Sequence, residues 1–390
     1  MAVVHLARGR QKRVLQGHPW IFQSEVEKVH GNFEPGDTVT VVDGRGHPLG
    51  KGYINPRSQI IVRMWTNKDE PIDRAFLQRR LERAWAYRQR LLPDTSMCRV
   101  VFGEADFIPG LIVDKFGDIL VIQTLALGID RWLPEIVEIL QEMLHPRGIY
   151  ERNDVPVREL EGLQQRTGVL RGEFDPRLVV EENGLKISVD VATGQKTGYF
   201  LDQRDNRRAI RPYAAGARVL DCFCNVGGFA LNAAAAGATS VLAVDASAEA
   251  LRGAQENTEL NGFADRISFR DGNAFDVLRQ LEAARERFGV VVLDPPAFAK
   301  NKGALEGAVR GYKEINLRAL HMITDGGYLV TCSCSYHVSP DLFKAVVADA
   351  ALDAGRRLRQ VEERAQSVDH PIVVGYEESH YLKCLIYEVS

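Results

Sequence analysis

The chain has 390 residues, enough for two or three domains at about 150 residues each. Charged residues make up 26% and hydrophobic residues 45%, which excludes a disordered or collagen-like chain. The net charge is −3, but it is unevenly spread: the first 92 residues hold 16 basic and 9 acidic side chains, the remainder 33 and 43. A basic amino-terminal module beside an acidic body is the electrostatic footprint of a nucleic-acid binder, and equally of a solvated basic helix.

The first 14 residues, MAVVHLARGRQKRV, have no apolar h-region, which argues against a secretory signal. Residues 1–70 read as β-rich. Thr38–Val42 is followed by the turn Asp43-Gly44-Arg45-Gly46, then by Leu49–Ile54 and Gln59–Met64. A small barrel or sandwich is expected. Arg74–Leu92 reads as an amphipathic helix that carries many of the basic residues.

Residues 95–190 alternate as an α+β segment. Strands are expected at Arg99–Phe102, Gly110–Asp114, Ile119–Thr124, Gly148–Glu151 and Lys186–Val191, with a helix over Trp132–Met143. From about residue 190 the pattern becomes strand then helix, repeated. Expected strands are Arg218–Asp221, Ser240–Asp245, Ile267–Arg270, Val290–Asp294 and Tyr328–Cys332. Helices follow from Phe229, Ala248, Ala274, Tyr312 and Pro340. The longest small-apolar run, Phe229–Ala236, is far short of the roughly 20 residues a membrane helix needs. This alternation predicts a parallel, doubly wound sheet, whose ligands bind at the carboxyl ends of its strands.

Five motifs sit at those ends. Asp221-Cys222-Phe223-Cys224-Asn225-Val226-Gly227-Gly228 links a strand to a helix, and its glycines allow a ligand close to the backbone. It is not the dinucleotide pattern GxGxxG. Asp245 ends the next strand, placed either for ribose hydroxyls or as a helix cap. Asn273 with Ala274 can read an adenine edge or can simply cap a helix. Asp294-Pro295-Pro296-Ala297-Phe298 is a rigid loop able to aim a carboxylate, with Phe298 free to stack on a base. Cys332-Ser333-Cys334 places thiols at a strand end, where one can act as a nucleophile or as a small core residue. The Cys-x-Cys pairs 222/224 and 332/334 lack the ligand spacing of a zinc site, so no metal is expected. Six cysteines without an export signal suggest a reducing, cytoplasmic setting.

Taken together, these motifs resemble the 23S ribosomal RNA (cytosine-C5) methyltransferases that carry an N-terminal PUA domain. The resemblance runs over nearly the whole chain. It includes His18-Pro19-Trp20-Ile21-Phe22, Arg152-Asn153-Asp154, the stretch Thr197 to Arg207, Asp369-His370-Pro371 and Tyr381-Leu382-Lys383.

The resemblance implies a PUA-like RNA-binding domain at 1–72, an α+β middle domain at 73–188 and a Rossmann-like class I methyltransferase domain at 189–390. It implies S-adenosylmethionine as cofactor, held by Asp221, Phe223, Cys224, Asn225, Gly227, Gly228, Asp245, Asn273, Ala274 and Asp294. Cys334 would be the nucleophile, preferred over Cys332, with Asp294 on the cytosine N3/N4 edge. Arg204 and Lys300 are the candidates for electropositive neighbours of the thiol. Gln203, Arg204, Arg207 and Phe298 would face RNA. The implied partner is 23S ribosomal RNA or a large-subunit precursor, and a homodimer is an inference from relatives. The rivals are an exocyclic-amine RNA methyltransferase, a small-molecule methyltransferase and a non-catalytic RNA-binding assembly factor.

Overall fold

The structure is a computed structural model that describes residues 1–299 and 301–390, with the Lys302 side chain also outside the description. Lys300, one of the expected neighbours of the thiol, therefore lies outside the described residues. The chain divides into two compact units. One comprises residues 1–180, 189–201 and 368–379, and the other 181–188, 202–367 and 380–390.

In the first unit, residues 3–66 build a six-stranded sheet. Its order is Trp20–Ile21, Val62–Thr66, Pro48–Ile54, Thr38–Val42, Val3–Leu6, Val26–His30. The β-branched runs supply its core: Val4, Leu6, Val39, Val41, Ile54 and Val62 are fully buried. Helix Arg74–Leu91 follows, as the sequence predicts. Asp73 caps it by accepting a hydrogen bond from the Phe76 amide at 2.8 Å, and Phe76, Leu77, Leu81 and Ala84 are its buried face. That face joins the core of a five-stranded sheet ordered Arg166–Arg171, Gly148–Asn153, Ile119–Thr124, Leu111–Phe116, Met97–Phe102. The Arg166–Arg171 strand is not among the expected ones. Its residues are largely exposed, so it carries little hydrophobic signal.

Part of the positive charge of the first 92 residues is answered inside this unit. Arg63 pairs with Glu104 and Glu161, and Arg74 with Glu138 and Glu142. Arg88 is fully buried. It donates to the carbonyls of Ala84, Arg99 and Asp369 and pairs with Asp106. The basic helix is thus in good part a structural one, with Arg79, Arg83 and Arg90 exposed.

The second unit is built on one seven-stranded sheet. Numbered within this sheet, its strands are β1 (Arg218–Cys222), β2 (Ser240–Asp245), β3 (Ile267–Asp271), β4 (Phe288–Leu293), β5 (Ile323–Ser333), β6 (Leu358–Arg364) and β7 (Lys383–Val389). The helices used below are α1 (Arg204–Ala209), α2 (Gly228–Ala235), α3 (Ala248–Leu260), α4 (Ala274–Ala283), α5 (Leu305–Met322) and α6 (Pro340–Asp353). The spatial order is β3-β2-β1-β4-β5-β7-β6. Strands β1 to β5 are parallel, as expected, whereas β7 runs antiparallel to both β5 and β6.

The two strands at this edge, β6 and β7, lie outside the five expected ones. The signal was weak there: β6 (LRQVEER) is charged and mostly exposed, and β7 (KCLIYEV) is a short apolar run whose periodicity alone does not assign it. The strand order reverses between β1 and β4, so a crevice opens at their carboxyl ends.

Replacing Arg88 by alanine leaves Asp106 without its cationic partner and removes the guanidinium bonds to three carbonyls. The expected cost is about 3–5 kcal/mol, read as a lowered midpoint in urea denaturation.

Candidate active site

The crevice begins with the loop after β1. Phe223, Asn225 and Gly227 have φ of 63°, 50° and 84°, a left-handed run that non-glycine residues rarely adopt. Two hydrogen bonds hold it to β2: the Cys224 amide donates to the Val244 carbonyl at 3.0 Å, and the Asn225 amide to Asp245 at 2.9 Å. Gly227 caps helix α2, and a Cβ there would lie 3.3 Å from the Ala254 side chain, so the loop packs directly on α3.

Asp221 is the last residue but one of β1 and is fully buried. One carboxylate oxygen accepts from the Ala230 amide at 2.9 Å, while Oδ1 is buried with no partner. Burial drives its pKa well above the ordinary carboxylate range; the Ala230 hydrogen bond opposes this, and the charges of Asp294 and Asp245 add to it. Three acidic side chains therefore converge, one with an unsatisfied oxygen. That arrangement calls for a ligand bearing positive charge and hydrogen-bond donors.

Asp245 receives two backbone amides, from Asn225 and Ser247, both at 2.9 Å, and each of its oxygens keeps further acceptor capacity. Asn273 caps α4, its Oδ1 accepting from the Phe275 amide at 2.9 Å, with Ala274 buried beside it. Cys224 is buried, its thiol 3.6 Å from the Asn225 carbonyl, and burial pushes that thiol far up the scale. It lines the loop's underside as a small apolar residue.

On the other side of the crevice, Cys332 and Cys334 are distinguished by exposure. Cys332 is buried in β5 opposite Cys384 of β7. The Cys384 contact and burial both hold its thiol protonated. Cys334, just beyond β5, is the one partly exposed thiol among the six cysteines, none of which is in a disulfide. Its Sγ lies 3.8 Å from the Pro295 carbonyl, so the thiol touches the Asp294-Pro-Pro loop. Beneath it the hydroxyls of Ser333, Tyr312 and Ser335 form a chain with 3.0 Å links, and Ser335 also accepts from the Ala299 amide at 3.2 Å. Phe298 sits between Phe275 and Tyr312, at 5.8 and 4.7 Å between ring centroids, half-buried rather than free-standing.

Three residues expected to face RNA are buried in the structure. Gln203 is buried; it donates to Asp294 Oδ1 at 2.8 Å and is itself held by the Asn206 amide at 2.7 Å. Arg207 is buried against Glu182, to which it donates twice. Arg204 is buried on Asp205 and Ser367. The reason is local: α1 presents Arg204, Asn206 and Arg207 inward, and each finds a polar partner there. Sequence reasoning missed the role this gives Gln203, which is to orient Asp294. It also gave no role to Lys383, whose buried ammonium senses the Cys334 charge. Among the described residues, no group of three His, Cys, Asp or Glu side chains is arranged to hold a metal ion, and no helix is long and apolar enough to cross a membrane.

This sheet order, with a glycine turn after β1, an acid at the end of β2 and an acidic crevice, defines a Rossmann-like class I methyltransferase. The sequence profile of the S-adenosylmethionine-dependent methyltransferases matches residues 166–382, and that of the PUA-like domain residues 4–67. The chain is 45% identical over 389 residues to Ribosomal RNA large subunit methyltransferase I of Tolumonas auensis, covering 98% of each. It is 43% identical over 383 residues to the protein of that name from Klebsiella pneumoniae, covering 97% of this chain and 96% of the other. A Streptococcus mutans protein assigned to the SAM-dependent methyltransferases has the same fold, with a TM-score of 0.85 at 19% identity over the whole of both chains. A second solved structure, complexed with SAH, gives the same figures.

The chain belongs to the PUA-containing family of S-adenosylmethionine-dependent methyltransferases that includes the large-subunit ribosomal RNA methyltransferases I. Its cofactor is S-adenosylmethionine, and the residues present fit it. The unsatisfied Asp221 oxygen and the converging acids suit a molecule that carries an ammonium and a sulfonium.

Because the Asp221 pKa is raised in the folded state, the folded protein binds more protons than the unfolded chain once pH exceeds the ordinary carboxylate value. The contribution of this group to stability therefore falls as pH rises through that window. Asp221→Asn keeps an acceptor for Ala230 and removes the charge. In the absence of cofactor the variant is expected to melt above wild type at pH 7, each kcal/mol appearing as about 2–4 °C. The gain should disappear near pH 4, as followed by calorimetry.

Proposed function

We propose that the protein methylates C5 of a cytosine in large-subunit ribosomal RNA, with Cys334 as nucleophile. The observation that carries this reading is Cys334 itself. It is a partly exposed thiol at the end of β5, against the Asp294-Pro-Pro loop and across the crevice from the acidic cofactor cluster. A methyltransferase acting on an amine nitrogen needs no thiol there. The printed names of the relatives support ribosomal RNA as the substrate class, and the PUA-like match supports an RNA-binding amino-terminal segment within the proposed 1–72, 73–188 and 189–390 division.

Cytosine C5 is a poor nucleophile. Cys334 Sγ, as thiolate, adds to C6, and the C5=C6 electron pair moves to C5. Bound S-adenosylmethionine supplies an electrophilic methyl group. C5 takes that methyl, the methyl–sulfur bonding pair stays with the cofactor's sulfur, and a base takes up the C5 proton. Its electron pair restores the double bond, and the S–C6 pair returns to sulfur. Asp294, oriented by Gln203, bonds the N3/N4 edge and balances charge as the adduct forms.

In this reading Asp221 with Phe223–Gly228 holds the methionine end, Asp245 the ribose, and Asn273 with Ala274 the adenine. Phe298 backs the base pocket. Because the Asn273 carbonyl oxygen already caps α4, its amide N–H groups would make the adenine contact. The cytosine must leave any stack to reach Cys334, which favours an unpaired or partly folded RNA target.

The test is transfer of tritiated methyl from S-adenosylmethionine to undermodified large-subunit RNA, with the product nucleoside identified. Wild type and Cys332→Ala are expected to form 5-methylcytosine, and Cys334→Ala to lose at least 1,000-fold in rate, about 4 kcal/mol. Equal rates in all three would overturn the thiol mechanism. A second measurement uses Gln203→Leu, expected to lower kcat by about tenfold while S-adenosylmethionine binding by calorimetry stays within about twofold of wild type.

A further inference from the structure

Lys383 opens β7 directly opposite Ser333 of β5, and Cys334 is the next residue along. The lysine side chain is buried, 3% exposed. Its ammonium donates to the Ser335 carbonyl at 2.7 Å and to the Tyr381 carbonyl at 2.9 Å, so it is anchored on the residue that follows the thiol. Two carbonyls satisfy donors but supply no counter-charge. Lys51, Lys313 and Lys344 are each ion-paired with carboxylates, whereas the contacts of the Lys383 ammonium are these two carbonyls. An ammonium buried without an anion is costly. Among the described residues the negative form of Cys334 favours its charge, while burial brings its pKa down to about 8.

We propose that Lys383 is the positioning residue that holds Cys334 as a thiolate, the two forming an ion pair that exists before RNA arrives. This rests on reading Cys334 as the nucleophile. The step is a proton transfer. The S–H bond of Cys334 breaks, the proton goes to Nζ of the neutral amine, and the electron pair stays on sulfur, ready for C6. When the S–C6 bond later breaks, that pair returns to sulfur beside the same ammonium, so the pair is ready for the next turnover.

Other groups face this pair. Tyr312 on α5 senses the Cys334 charge, and burial raises its pKa, so it remains a neutral hydroxyl near neutral pH. His380, just before β7, is pushed down by burial and then by Lys383, so it adds no second positive charge near neutral pH. Asp294 lies at the end of β4, beside Pro295, whose carbonyl contacts the thiol. Among these described residues, Lys383 is the one carrying positive charge.

The experiment is alkylation of the full-length protein by iodoacetamide between pH 5 and 10, with Cys334 followed by peptide mass mapping. Wild type, Lys383→Met and Lys383→Arg are compared. The other five cysteines are buried, so the Cys334 signal is separable. The expected wild-type midpoint lies at least one pH unit below the value of about 8.5 for a free thiol. Lys383→Met should move it up by at least one unit with a parallel tenfold or larger loss of kcat near neutral pH, and Lys383→Arg should restore a low midpoint.

A wild-type midpoint at or above that of a free thiol would overturn the proposal without recourse to any variant. So would equal midpoints in wild type and Lys383→Met. A lowered midpoint that depends on Lys383, in a wild-type protein that transfers no methyl group to RNA, would support the ion pair while overturning the assigned reaction.

Discussion

A carboxylate buried at the end of β1, with one oxygen bound and the other unanswered, is the constraint around which the catalytic unit is arranged. Asp221 cannot reach solvent, and Asp245 and Asp294 both lie close enough to raise its pKa. Like charges so placed repel one another, and the loop between β1 and α2 keeps its left-handed residues although two of them are not glycine. The fold maintains this strain because the sheet fixes the ends of β1, β2 and β4 in register. Asp221 aligns with Ala243 on one side and Val292 on the other. The site is pre-organised for a cationic ligand, whose arrival relieves a repulsion the sheet alone cannot remove.

The opposite wall of the crevice is neutralised from within. Gln203 braces Asp294, Asn206 braces Gln203, and Arg364 in β6 donates to Asn206 at 3.0 Å. Each link satisfies a buried polar group that would otherwise cost about 1–3 kcal/mol. The chain of contacts runs from an edge strand to the carboxylate at the centre of the sheet. It accounts for the stretch of polar residues after Leu201, which reads as a binding surface in sequence and is an internal brace in the fold.

What was legible in the sequence was local. Strands β1 to β5, the Asp73-capped helix and the glycine turn each declare themselves within a few residues, through β-branched runs, caps and breakers. The acids at the ends of β1, β2 and β4 follow from the topology those strands imply. What was not legible depends on distant pairing. Arg204, Arg207 and Gln203 look like surface residues because charged and amide side chains usually are, and nothing nearby announces Glu182 or Asp294 as partners. The role of Lys383 was hidden for the same reason, and because β7 itself carries no periodic signal. The preference for Cys334 over Cys332 came from a family resemblance. The structure adds a physical ground, since one thiol is sealed against Cys384 and the other is partly exposed.

The placing of β7 has a consequence for how the protein comes into being. This strand follows β6 in the chain yet lies between β5 and β6 in the sheet. A nascent chain that has already released β1 to β6 must therefore keep the β5 edge open until β7 arrives to fill it. On the ion pairing proposed above, Cys334 spends that interval without its ammonium and stays an ordinary protonated thiol. Insertion of β7 then completes the sheet and arms the nucleophile in a single step, so reactivity appears only in chains that have finished folding.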